Sequence, residues 1–145
     1  MADVKYHSFF RDIAGKKIDC NASGDVFKMS LHTVTHTPNQ DHEVYASLDN
    51  EVANGNGYTT GGFAFTNTNN ALSDDDTNNK MVFDITQDAV WAASTIIARY
   101  AVLYDDTPVS PADPLLGLFD FVTDKSTTNG TFTVQFNASG IIEIA

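Results

Sequence analysis

From residue 25 onward, apolar and polar side chains alternate in short runs, the period of strands that bury one face. Between Asp25 and Thr33, Phe27, Met29 and Leu31 alternate with Lys28, Ser30 and His32. Between Lys80 and Ile85, Met81, Phe83 and Ile85 alternate with Val82 and Asp84. From Ile96 to Tyr104 both faces are apolar except at Arg99, which predicts a central strand covered on both sides. A buried arginine there needs a carboxylate or several carbonyls. Leu115 to Val122 and Ile141 to Ile144 are further apolar strands. In the run 130–140, Phe132, Val134 and Phe136 face one way and Thr131, Thr133 and Gln135 the other.

One segment has helical period instead. Tyr6, Phe9, Phe10 and Ile13 fall at i, i+3, i+4 and i+7, with Asp3 to cap the start and Gly15 to end it. The spacing predicts a helix over about residues 4–14. Its aromatic stripe packs on the body, or else Phe9 and Phe10 dock onto a neighbouring subunit.

The connections have the chemistry of β-turns. Asn129-Gly130 is a strong hairpin signal, and Ser139-Gly140 is a second turn pair. The stretch 105–114 holds three prolines and reads as an ordered, irregular loop. Residues 66–79 are rich in Asn, Asp and Thr and read as a mobile surface loop. About six to eight short strands with such turns indicate a mainly β fold, an antiparallel β-sandwich or barrel of jelly-roll type, with one short N-terminal helix. Residues 1–145 form a single domain on this reading.

Composition narrows the function. The net charge of −11 works against nonspecific binding to nucleic acid or anionic lipid. No apolar run is long enough to span a bilayer. The first residues lack a signal peptide's order of charge, apolar block and cleavage site, so the chain is expected to be the mature protein. Without a secretory route the sequons at Asn21, Asn129 and Asn137 have no role. A single cysteine, Cys20, permits no internal disulfide and reads as a small hydrophobe.

Candidate chemistry is sparse. Gly55-Asn56-Gly57-Tyr58-Thr59-Thr60-Gly61-Gly62 resembles a phosphate loop only in its glycines. No helical stripe follows it and no lysine ends it, so the glycines are assigned to turns with positive φ. His32 and His36 are four residues apart. On a strand that is about 13 Å, too far for one ion to hold both. A metal shared across a symmetry axis by one histidine per subunit stays open. Asp74-Asp75-Asp76 lacks the glycine and glutamate of a calcium loop and reads as a solvated loop. Asp105, Asp106 and Asp120 show no pairing, and Ser94 has no nucleophile elbow. No catalytic, cofactor-binding or metal-binding residues are assigned. Trp91, Tyr100 and Tyr104, with Tyr58, are candidate interface anchors; core positions are the favoured alternative for the first three.

Several of these blocks together resemble a family of small virion structural proteins of tailed bacteriophages. They are the helix YHSFFRDIAGKKI, then DVFKMSLHT and NGNGYTTGG, then VWAASTIIARYAVLYDDT, PLLGLFDF and NGTFTVQFNASGIIEI. The likeness runs along nearly the whole chain. It implies a capsid decoration (cement) protein on the head surface, made in the host cytoplasm. The major capsid protein would be its partner, and it would form a homo-oligomer such as a trimer, with no enzymatic activity. A receptor- or carbohydrate-binding module of a tail, neck or fibre is the alternative. The three-histidine segment 32–42 and the Asn/Asp-rich loop depart from the family pattern. No site residues carry over.

Overall fold

The run that is apolar on both faces lies at the centre of the largest sheet. The structure, a computed structural model, describes residues 2–144. Its strands are β1 (Val4–Lys5), β2 (Phe27–His32), β3 (Phe63–Ala64), β4 (Asn70–Asp75) and β5 (Lys80–Ile85). They continue with β6 (Ala89–Ser94), β7 (Ile97–Asp105), β8 (Leu115–Ser126), β9 (Gly130–Val134) and β10 (Ile142–Ile144); the one α-helix among the described residues is α1 (His7–Ala14). The strands form a five-stranded sheet in the order β1-β8-β7-β2-β3, a three-stranded sheet β10-β5-β4 and a pair β6-β9. Every strand pairing is antiparallel. No sheet closes on itself, so of the two expected architectures the barrel is excluded.

Strand alternation divides the interior in two. Ala101 and Leu103 of β7 join Phe27, Met29 and Leu31 of β2 in the main core, which the two smaller sheets complete with Phe83, Trp91 and Phe132. The opposite face of β7 carries Val102 and Tyr104, which pack with Tyr6, Leu115 and Leu118 beneath Tyr45 and Leu48. This second layer explains why Ser30 and His32, on the expected polar face of β2, are also buried. Each fully buried large apolar side chain contributes roughly 1.5–3 kcal/mol.

Four expectations need correction. The helix begins at His7 rather than near residue 4, because Val4 and Lys5 pair with Leu118 and Gly117 of β8. Tyr6 stands at its N-cap, and the Asp3 carboxylate instead accepts the Asp120 N–H at 2.7 Å. The Asn/Asp-rich stretch 66–79 is not one loop: β4 runs through it in six-residue register with β5. Asparagine side chains fasten it, with Asn70 Nδ2 donating to Asp25 O at 2.9 Å and Asn67 Nδ2 to Gly24 O at 2.9 Å. Tertiary pairing thus overrides the low strand propensity of Asn and Asp. Asn129-Gly130 does not close a hairpin, since β8 pairs with β7 and β9 with β6. Its left-handed Asn129 (φ 47°) carries the chain from one sheet to the other. β6, with only Val90 and Trp91 as large apolar residues, is a strand that the alternation did not predict; it forms by pairing with β9.

Candidate interaction surface

The structure sorts the six aromatic candidates by burial. Phe9 is fully buried, and Tyr58, Trp91 and Tyr104 are nearly so, which makes them core residues. Phe10 is 40% exposed and Tyr100 half-buried, so these two alone present surface. The helix accounts for the first split: its inward stripe takes Phe9, and Phe10 sits on the rim with its ring 5.5 Å away.

Tyr58 explains the glycine-rich block. Gly55 and Tyr58 exchange both backbone hydrogen bonds, at 2.7 and 2.9 Å, in a tight turn that drives the tyrosine inward. There its hydroxyl accepts the Leu31 N–H at 3.0 Å and donates to Glu51 Oε1 at 2.6 Å. Glu51 also accepts the Gly61 N–H at 2.7 Å and the Tyr45 hydroxyl. Tyr104 donates to Gly61 O at 2.7 Å and stacks on Tyr45 with centroids 4.7 Å apart. Trp91 lies between Tyr58, Phe63 and Phe132, each about 6 Å away between ring centroids. Gly55, Gly57, Gly61 and Gly62 have the positive φ expected of turns, and those turns seat Tyr58 in the core rather than at an interface.

The histidines depart from expectation. The strand ends at His32, and a turn closed by His36 N–H to Thr33 O at 3.0 Å folds the chain back. The two imidazoles therefore lie 4.9 Å apart between ring centroids rather than a strand's length apart. His32 donates from Nδ1 to Asp49 O at 2.8 Å and accepts at Nε2 from Ser30 Oγ at 2.9 Å. Burial holds its pKa below the ordinary histidine value. His36 donates from Nδ1 to the Asp49 carboxylate, and its ring meets Tyr100 edge-on. Both imidazoles are buried, away from any subunit surface. Among the described residues, no cluster of three or more His, Cys, Asp or Glu could hold a metal.

The acids are tied to the fold. Asp75 accepts the Asn78 N–H and side-chain amide across the β4–β5 turn. Asp106 pairs with Lys28 at 2.9 Å. Asp120 is the carboxylate that Arg99 required: it receives Nε and Nη2 of the guanidinium, the latter at 3.1 Å, and the Val122 N–H at 2.7 Å. Val122 itself has φ 68°, strained for a β-branched residue, at a register shift in β8. Ser94 donates to Trp91 O at 3.0 Å, a structural bond. Burial pushes the Cys20 thiol up to about 12, which leaves it inert near neutrality.

Asp105 is buried beside Asp25, and burial raises its carboxyl pKa from 3.8 to about 8. A raised pKa means that the site's stability is full below pH 3.8 and is lost as pH rises through about 8. Asn at position 105 keeps an oxygen for the Thr107 N–H and adds a donor towards Asp25. Asp105→Asn is therefore expected to raise the urea midpoint at alkaline pH and to flatten its fall with pH. A wild-type midpoint that holds steady between acid and alkaline pH would contradict this assignment.

One surface feature lay outside the sequence reading. A groove of about 380 Å³ lies between β9 and the arm of β8 beyond Asp120. Phe121, Phe132 and Val134 supply its apolar lining, threonines its rim, and Lys125 its one charge. Its only signal in the sequence is the uncharged, proline-free alternation from Thr131 to Gln135. Among the described residues, no helix is long and apolar enough to cross a membrane. No protein-family model matches the chain, and no curated protein or solved structure matches it.

Proposed function

We propose that this chain is a structural protein of a tailed-bacteriophage virion, a decoration protein that binds across capsid subunits and stabilises the head shell. The sequence blocks that resemble the virion family support this reading. The observation that carries it is the open groove beside β9, an apolar-lined recess at the surface of a body that buries Phe9, Tyr58, Trp91 and Tyr104 in its core. A cement protein needs such a body: strands that hold shape, and a surface recess that a neighbouring chain can fill. Phe10, at the rim of the helix, is a second contact point, suited to self-association.

Localisation in intact particles tests the proposal. Copies spread symmetrically over the head shell are expected, together with a small symmetric oligomer of the purified protein, such as a trimer. A monomer that fails to bind expanded capsids, or copies confined to one vertex or the tail, would replace this reading with the receptor- or carbohydrate-binding alternative. Because Tyr58 and Trp91 are core residues, glycan binding lost on their truncation would report unfolding, so Phe10 and Tyr100 are the aromatic side chains to vary in that test.

A further inference from the structure

We propose that the outer edge of β9 takes up an extended segment of another polypeptide, adding it as a third strand to the β6–β9 sheet within the groove. The choice of a protein partner rests on the assembly role above; the identity of the edge does not. Unpaired strand edges template pairing, and proteins blunt them with charge, proline, bulges, shortness or cover. The other sheet edges here are blunted. β1 and β3 have two residues each and β10 has three, with Lys5 Nζ donating to Glu143 O at 2.9 Å. β4 carries Asp74 and Asp75. The outer side of β6 is covered by the glycine turn: the Thr95 N–H donates to Asn56 O at 2.8 Å, and a Cβ on Gly57 would lie 2.7 Å from Ser94 Cα.

From Thr131 to Gln135 there is neither charge nor proline, and the register shift in the β9 ladder falls between Trp91 and Ser94 of β6, so Phe132 to Val134 stay in register. Among the described residues, the backbone of this run makes no hydrogen bond beyond the β6 ladder. The facing arm of β8 is a poorer template, because Val122 at φ 68° and the register shift break it. The occupant's chemistry follows from the lining. Thr131 to Gln135 span about 13 Å, so the segment has about five to seven residues in extended form. Alternate apolar side chains meet half-buried Phe121 and the small parts of Phe132 and Val134, 5% and 7% exposed, that reach the groove floor. Lys125, the only charged residue of the lining, calls for an acidic side chain opposite it. The run Thr131–Gln135 carries no acid, so a second copy pairing through this same edge does not answer Lys125, and the segment belongs to a different chain. This is β-augmentation, in which main-chain bonds give affinity and alternate pockets give specificity.

The probe is a displayed library of random peptides about nine residues long, selected on the immobilised full chain at low salt. Enriched peptides are expected to alternate apolar and polar residues and to carry Asp or Glu. They should slow amide exchange at 131–135, bind Lys125→Glu about tenfold more weakly, and bind Phe10→Ala as they bind the wild type. Lys125 is exposed and its side-chain hydrogen bond among the described residues is to Thr123 Oγ1 at 3.4 Å, so Lys125→Glu is expected to leave the fold intact. Selection with no enrichment over an unrelated chain, or binders that leave these amides unprotected, would overturn the proposal. So would protection of the same amides by concentration-dependent pairing of two copies. Particle localisation bears on the decoration role alone, and this experiment on the edge alone.

Discussion

Trp91→Ala is expected to cost about 3–5 kcal/mol of unfolding free energy, the range for truncating a large buried aromatic. That is a large share of the about 5–15 kcal/mol that holds a domain folded. The indole is 6% exposed and touches three aromatic rings from three separate segments, Tyr58, Phe63 and Phe132. Its removal leaves a cavity at the junction of the β6–β9 pair with the large sheet, and β9 has no strand partner but β6. Urea denaturation should show a lower midpoint with unchanged slope. A variant of wild-type stability that had lost a binding partner would instead place Trp91 at an interface, against its burial.

Gly62→Ala is expected to be at least as damaging, for a different reason. Gly62 has φ 80°, and a Cβ there would lie 1.8 Å from Met29 O and 2.6 Å from Met29 C. Neither atom can move aside, because Met29 sits in the middle of β2, registered against Leu103 of β7 and Phe63 of β3. The overlap is with backbone, so no rotamer change relieves it. A destabilisation of about 3 kcal/mol or more, or failure to fold, is the expected outcome. Gly130→Ala is the matched control: its Cβ would have nothing nearer than 3.7 Å and its φ is not positive. A thermal midpoint for Gly62→Ala equal to that of Gly130→Ala would show the close approach to be wrong.

The strands built on strong alternation were readable before any coordinates: Phe27, Met29 and Leu31 are all fully buried, and the doubly apolar run is the central strand. The need of Arg99 for a carboxylate was readable too, although the identity of Asp120 was not, because a bulge in β8 sets that register. What stayed hidden depends on long-range contacts. β4 is a strand because β5 pairs with it and because Asn67 and Asn70 reach back to the backbone of 21–25. The histidine pair depends on the turn after His32, where the strand ends and Thr33 to His36 fold back. Among the aromatics, the sequence could not separate Phe9 from Phe10; only the direction of the helix against β8 does so. The groove escaped notice because it exists only where two strands distant in register face one another.

The carboxylate of Glu51 has a bearing on how the molecule breathes. It receives hydroxyls from Tyr45 and Tyr58 and an amide from Gly61, so one side chain knots the cover of the second layer to the turn that seats the main core. Neither segment can swing out without stranding the donors of the other. The stretch from Tyr45 to Gly62 should therefore open as one cooperative unit, its protected amides exchanging at a common rate well below that of the free loop tips.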